Sequence, residues 1–456
     1  MPPSSLVGFP ASSPFMILLT HPTGNANVRH AALGLHRAGL LGEFWTGINY
    51  AVPSWLGSLL PKRFNQRLQR RSYPLELNRK IHTYPWREAS RQLASRVGLG
   101  AFTDSDTGPC SEDAVYRSLD RQVAKRLSQA TFTGVYAYEN GAEYAFRAAK
   151  DAGQLCIYDQ PIGHWKAAQE ILEEEAEKEP EWASLLGNVH NGAAKNRRRD
   201  TELELADVVV VASAFTKRTL EEEGRIRARI AVVPYGCPTP PQGLAESNRT
   251  STDKLRVLYV GPLSQRRGLS YLFSAVQQLG GAAELTIIGR KPPRSIPALE
   301  RELSKVRFLP YGNHTEVLRE MTQHDVLVFP SLFESFGSEL LDAMAMGLPV
   351  IATPNSAAPD LISDGNEGFL VPIRSSNAIA ERLHLLYREP DRRVEMGLRA
   401  AARAKEFSWR RYETTLATRV SETLAFAGHG TSPSFARATP DPELPGVFPR
   451  QEDESA

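Results

Sequence analysis

Residues 326–351 read VLVFPSLFESFGSELLDAMAMGLPVI, and the order of residue types in this stretch decides how the chain is read. A run of strand formers ends at Pro330 and Ser331, and a helix is expected to begin close to Gly337 and to continue until Gly347 and Pro349 stop it. Glu334 and Asp342 stand eight positions apart, around the step from Phe336 to Gly337. A helix N-terminus carries amides without intrahelical partners and a partial positive charge, so it attracts phosphate. Glycine at that point lets a ligand come close to the backbone. Ser338 and Asp342 are four apart and so share one stripe, roughly 5.4 Å apart along the axis. The geometry suits a nucleotide sugar, with the diphosphate at the amides of Gly337 and Ser338, the ribose on Asp342 and the sugar hydroxyls on Glu334. On local physics alone the alternative stands level with it: two solvated acids favoured only by the helix dipole.

Outward from this stretch, short runs rich in Val and Ile alternate with longer helical segments, the pattern of parallel sheets covered by helices on both faces. A first series comprises FMILLT (15–20), GVYAYE (134–139), LCIYD (155–159), DVVVVAS (207–213) and IAVVP (230–234). A second comprises LRVLYVG (255–261), ELTIIG (284–289), VRFLP (306–310), DVLVFPS (325–331), LPVIAT (348–353) and GFLVP (368–372). The Pro-, Ser- and Thr-rich residues 237–254 read as a linker between two domains, 14–236 and 255–405. Residues 100–113 read as a surface loop and residues 428–456 as a disordered tail.

With 456 residues the chain exceeds one ordinary core. Its 54 basic and 52 acidic residues leave a net charge of +2, so nothing global calls for nucleic acid. The acidic run EILEEEAEKEPEW (170–182) and the basic run KNRRRD (195–200) are expected on solvated helix faces; contact of the basic run with phosphates or a membrane surface is the minority alternative. Cys110, Cys156 and Cys237 show neither metal spacing nor a disulfide framework, which fits a reducing compartment. No run approaches the ~20 apolar residues that span a bilayer, and FMILL reads as a first strand instead of a secretory leader. A cytoplasmic protein is expected, with at most peripheral association at the membrane face.

The 326–351 stretch resembles the donor-binding signature of family 4 glycosyltransferases, retaining enzymes of the GT-B fold. In that signature an acid, seven residues and a second acid surround a Phe-Gly step. The family's second acid is usually Glu, where this chain has Asp342, and Gly usually follows the first acid, where it has Ser335. ELADVVVVASAFTKRTLEEEG (204–224), VLYVGPLSQRRGLSYLFSAV (257–276), PNSAAPDLISDGNEGFLVP (354–372) and FSWRRYETTL (407–416) resemble further family segments in the required order.

The resemblance implies two Rossmann-like domains facing each other across a cleft, with a final helix at 406–427 returning to the first domain. It implies transfer of a sugar from a nucleotide-sugar donor to a glycan, lipid or small-molecule acceptor, with retention and without a metal or other cofactor. Where the family has an Arg after the first Gly of GPLSQRRG, this chain has Pro262; Arg267 keeps the second basic position, with Arg266 beside it. Guanidinium groups clamp a leaving diphosphate bidentately and remain charged, or else these are exposed loop arginines. Phe336, Gly337, Ser338 and Asp342 are the donor-binding candidates, together with Gly24 and Asn25 between the first strand and helix, where a turn without a ligand is an alternative. For the family's catalytic His, the chain offers Asp159 near the matching strand end and His164 five residues later. Tyr138 and Glu139, at another strand end, are candidates for the acceptor cleft. A non-catalytic nucleotide-sugar binder is the rival from another class, and a sugar-phosphate synthase a further option within the enzymes. Rival motifs find little support: no P-loop occurs, Gly98 and Gly100 lack the third glycine of a dinucleotide fingerprint, Asp104 and Asp106 read as a solvated loop, and the histidines show no zinc spacing.

Overall fold

The computed structural model describes residues 15–50, 72–96, 102, 108–187, 192–237 and 253–428. The expected linker lies almost wholly, and the expected tail from 429 onward, outside the described residues, as do Asp104 and Asp106.

The first sheet contains β1 (Ile17–Thr20), β2 (Leu41–Thr46), β3 (Ile81–Thr83), β4 (Gly134–Tyr138), β5 (Leu155–Gln160), β6 (Val208–Val211) and β7 (Arg229–Val232), in the order β3-β2-β1-β4-β5-β6-β7. The second contains β8 (Leu255–Val260), β9 (Ala283–Gly289), β10 (Arg307–Pro310), β11 (Val326–Phe329), β12 (Val350–Ala352) and β13 (Gly368–Leu370), in the order β10-β9-β8-β11-β12-β13. All pairings between these strands are parallel. Covered on both faces, central strands such as β6 (VVVV) and β11 (VLVF) read as unbroken apolar runs, and each of their residues is buried. The sequence pattern overlooked β2 and β3, which lie toward one edge; the three residues of β3 are intermediate or exposed, so burial leaves no apolar run there.

The helices that matter for the site are α1 (Ala26–Arg37), α2 (Glu112–Leu127), α3 (Glu143–Asp151), α4 (Trp165–Lys178), α5 (Ala193–Leu205), α6 (Ala214–Glu222), α7 (Leu269–Gln278), α8 (His314–Thr322), α9 (Ser338–Ala345), α10 (Ala358–Leu361) and α11 (Trp409–Gly428). The last of these packs on the first sheet's side of the molecule. Tyr412, Leu416, Val420 and Leu424 join Ile17, Leu19, Val28 and Leu35 in one core, each worth about 1.5–3 kcal/mol on full burial. His30 stacks on Trp409 at 4.2 Å, and its Nδ1 lies 2.8 Å from Glu413.

Each sheet reverses its strand order once, between β1 and β4 and between β8 and β11. Loops leaving the carboxyl ends of adjacent strands at such a point diverge to opposite faces and leave a crevice. The two halves meet beside the crevice of the second sheet, through residues that follow β6 in the first. Ser213 Oγ donates to the Ser335 carbonyl (2.8 Å), the Ala214 amide donates to Asp360 Oδ2 (2.9 Å), and Phe215 meets Phe333 edge-on at 5.2 Å.

Candidate active site

The loop after β8 and the loop after β11 leave neighbouring strands, registered Val257 to Val326 and Leu258 to Leu327. That adjacency brings together two motifs that lie some seventy residues apart in the chain, centred on Arg267 and Glu334. The Leu332 amide donates to the Arg266 carbonyl (2.9 Å), tying the loops. Arg267 and Glu334 are each 6% exposed, and Arg267 Nε lies 2.8 Å from Glu334 Oε2. The N–H does not point along that line: neither atom has a hydrogen-bond partner among the described residues, nor has Arg267 Nη1. The guanidinium lies over the Phe329 ring at 4.9 Å, and its Nη2 is 3.5 Å from Glu339 Oε1. Arg266, more exposed, reaches within 3.8 Å of the same Glu334 oxygen. The other oxygen of Glu334 accepts from the Ser335 amide (3.0 Å) and hydroxyl (3.1 Å). Burial pushes the Glu334 pKa up, but Arg267 and Arg266 outweigh it and hold the carboxyl below its usual value.

Helix α9 starts where the sequence placed it. Gly337 at its N-cap has φ 82°, the left-handed region that favours glycine. Without a side-chain cap, the first amides of α9 remain available to a ligand, as anion recognition requires. Ser338 is exposed, whereas Asp342 is buried. Burial, with Glu339 adding to it, pushes Asp342 up to about 7. Its Oδ1 lies 3.7 Å from His314 Nε2 at the start of α8. Phe336 is buried and meets the ring of Tyr235 at 5.1 Å, joining the loop after β11 to the first half.

On the opposite side, Asp159 is the penultimate residue of β5 and is 2% exposed; Tyr136 donates to its Oδ2 at 2.6 Å, and burial pushes its pKa up to about 7. The Tyr138 hydroxyl also bears on Asp159, and the Tyr412 hydroxyl nearby is buried without a partner among the described residues. Glu139 is buried beside Arg199 (3.0 Å) and Gln160 (3.3 Å). The next turn brings Gly163 against Phe333: a Cβ on Gly163 would fall 2.6 Å from that ring and 3.0 Å from Thr219 Oγ1. The Asp159 strand end and the Glu334 loop are therefore joined through Gly163 and Phe333. His164, the next residue, donates its backbone N–H to Thr219 Oγ1 (2.9 Å). Its ring caps α4, and its two nitrogens lie 3.6 Å from Asp200 and 3.8 Å from Glu223. At Gly24 and Asn25 the turn is bonded internally: Asn25 caps α1 through the Val28 amide, Arg29 donates to the Gly24 carbonyl, and a Cβ on Gly24 would collide with the Tyr73 ring and hydroxyl.

The charged runs depart from the expectation of solvated faces. In the acidic run Glu175 is 0% exposed and Trp182 is buried against Phe273 of the second half. In the basic run Arg198 is buried against Asp113, and Arg199 pairs with Glu139. Charge density alone does not tell a solvated face from one that another domain covers. Sequence reasoning also passed over Phe329, Glu339 and His314. Glu339 alone had a visible signal, an acid in the first turn of the helix proposed to take the diphosphate. Among the described residues no group of three His, Cys, Asp or Glu is placed to hold a metal ion, and no helix is long and apolar enough to cross a membrane.

Several solved structures share this architecture. A sucrose-phosphate synthase of Thermosynechococcus elongatus superposes with a TM-score of 0.62 at 17% identity, covering 90% of this chain and 100% of that one. Anabaena HepE, solved with UDP-glucose, gives 0.56 at 16%, covering 90% and 99%. Two facing parallel α/β halves with these likenesses make the fold GT-B. Among curated relatives, a D-inositol 3-phosphate glycosyltransferase of Corynebacterium aurimucosum is 29% identical over 249 residues, 48% of this chain and 58% of that protein. An alpha-maltose-1-phosphate synthase of Mycolicibacterium smegmatis is 25% identical over 192 residues, 38% of this chain and 49% of that one. This chain thus spans about half the length of the curated relatives it matches. The part that carries Arg266, Arg267, Glu334 and Asp342, residues 244–403, matches the family model described as glycosyl transferases group 1.

Proposed function

We propose that this protein transfers a sugar from a nucleoside-diphosphate sugar to a hydroxyl of a glycan, lipid or small-molecule acceptor, with retention at the anomeric carbon. The observation that carries the reading is the buried Arg267, whose Nε and Nη1 lack hydrogen-bond partners among the described residues, set beside Glu334 near the uncapped N-terminus of α9. Unsatisfied guanidinium N–H groups in a crevice are costly unless a ligand uses them, and a diphosphate accepts from such groups bidentately.

In the reaction the bond between the anomeric carbon and the diphosphate oxygen breaks, the diphosphate keeps the electron pair, and the acceptor oxygen bonds to that carbon as its proton passes to the departing diphosphate oxygen. Arg266, Arg267 and the α9 amides stabilise the charge that grows on the diphosphate. Glu334 orients the sugar hydroxyls, and Asp342 takes the ribose. The loops around Gly163 and Phe333 shield the reacting atoms from water. Positive charge supplied by arginines makes a metal unnecessary in this scheme, so transfer should survive a chelator. Retention rests on the resemblance of the 326–351 stretch to family 4 enzymes. We place the protein in the cytoplasm, with peripheral contact at the membrane face if the acceptor is a lipid.

A thermal-shift screen of UDP, GDP and ADP and their sugars tests the donor side. The matching nucleotide at a hundred times its Kd should add about 2.7 kcal/mol of stability. Incubation of that sugar with an acceptor panel, read by mass spectrometry, tests transfer. Pro262, standing where the family has an arginine, is the observation that favours a non-catalytic binder. Such a binder would show the shift but neither transfer nor donor hydrolysis.

A further inference from the structure

Helix α4 follows β5 of the first sheet, yet the end of it and the turn after it grip the second half of the molecule. Glu175, wholly buried, receives Gln265 Nε2 on one carboxylate oxygen (2.7 Å). On the other it receives the Tyr271 hydroxyl (3.1 Å) and Arg374 Nε (2.8 Å). Ten residues on, the Leu185 carbonyl accepts from Ser264 Oγ (2.8 Å). Trp182 and Leu185 belong to the same apolar core as Leu269, Leu272 and Phe273 of α7.

Ser264 and Gln265 are the two residues immediately before Arg266 and Arg267. Gln265 is fully buried, and its amide also bonds both the hydroxyl (2.6 Å) and the backbone amide (3.1 Å) of Ser270 at the start of α7. The short turn Gln265–Arg267 is therefore fixed from two sides. The loop after β11 holds it through the bond from the Leu332 amide to the Arg266 carbonyl, and the first domain holds it through Glu175 and Leu185. A buried carboxylate taken out of water must be matched by donors in good geometry. Here the donors lie on the turn that carries the arginines, on α7 and in the loop after β13.

We propose that Glu175 is a positioning residue for transfer: through Gln265 it sets the turn that aims Arg266 and Arg267 at the departing diphosphate, so the first domain contributes to the donor site. This inference rests on the reading of the two arginines as the diphosphate clamp. Charge on the leaving group grows toward the transition state, so a misaimed clamp lowers turnover more than ground-state donor binding.

The test is steady-state transfer by the full chain with the donor found in the thermal-shift screen. Glu175→Ala should lower kcat by about tenfold to a hundredfold, in the range of a catalytic group displaced by a fraction of an ångström to one ångström, while KM for the donor changes by less than about threefold. Glu175→Gln keeps an oxygen for Gln265 and should recover most of kcat. Arg374→Ala removes another arm of the same network; it should lower Tm and leave kcat near wild type. If Glu175→Ala does not fold, Gln265→Ala breaks the contact from the other end and should show the same split between kcat and KM. Equal losses of kcat in Glu175→Ala and Arg374→Ala would reduce Glu175 to a structural tie and overturn the proposal. Unchanged kcat in Glu175→Ala, or in Gln265→Ala, would overturn it as well. A wild-type chain that transfers no sugar would instead remove the functional reading, and this inference with it.

Discussion

Arg267 Nε and Glu334 Oε2 stand 2.8 Å apart, both buried, with the N–H directed away from the carboxylate. The pair keeps its Coulomb attraction while leaving donor and acceptor capacity for a third party. Glu334→Ala should therefore lower turnover at saturating donor by roughly a hundredfold or more through lost positioning, with the fold intact. Arg267→Ala should lower turnover and nucleoside-diphosphate affinity together. Arg267→Lys should recover only part, because a fork becomes a point charge. Titration calorimetry with the nucleoside diphosphate checks the ranking, and equal affinity in all three proteins would remove Arg267 from the site.

Glu339 competes for the same guanidinium at 3.5 Å, from the first turn of the helix proposed to receive the diphosphate. Its carboxylate repels the ligand that Arg267 attracts. Glu339→Gln should tighten nucleoside-diphosphate binding by up to about fivefold, the scale of a partly exposed charge interaction of about 0.2–1 kcal/mol. Weaker binding in this variant would show that Glu339 contacts the donor directly.

Asp342, pushed up to about 7 by burial, titrates where function can be measured. A raised carboxyl pKa contributes stability that is present below the unfolded value and lost as pH rises through about 7. Asp342→Asn should accordingly raise Tm most at pH 8, less at pH 5, and little below the unfolded value of 3.8. Binding runs the other way, since a ribose hydroxyl donates better to a carboxylate than to an acid. Affinity for an intact nucleotide sugar, whose diester phosphates do not titrate here, should rise from pH 6 to pH 8 in the wild type. His314, Glu339 and Cys237 also bear on this site. Loss of the affinity rise in Asp342→Asn assigns it to Asp342, whereas its persistence there would assign it to His314 or another group.

Gly163→Ala places a methyl 2.6 Å from Phe333 and 3.0 Å from Thr219 Oγ1. Overpacking of this kind costs about 1–3 kcal/mol, here at the junction between the halves. Transfer should fall by about tenfold or more, with donor binding less affected because Glu334 and Arg267 sit on the second half. A variant with wild-type kinetics would show that the observed contact between Gly163 and Phe333 is not used during turnover.

The fold class was legible in the sequence, and so was the start of α9 at Ser338 after Gly337. Strands buried on both faces need unbroken apolar runs, so β6 and β11 announce themselves, and the residues around α9 are contiguous and governed by local rules of helix initiation. Edge strands such as β3 carry no such run and were not read. Contacts between distant segments were not legible in this way. The tertiary structure turned Glu175 from one more acid in a charged run into a buried partner of Gln265, and it turned His164 and Asn25 into helix caps. It also set Glu339 against Arg267. In each case the local sequence is compatible with solvent or with another domain as the neighbour, and the choice is made by which surfaces the two sheets bring together.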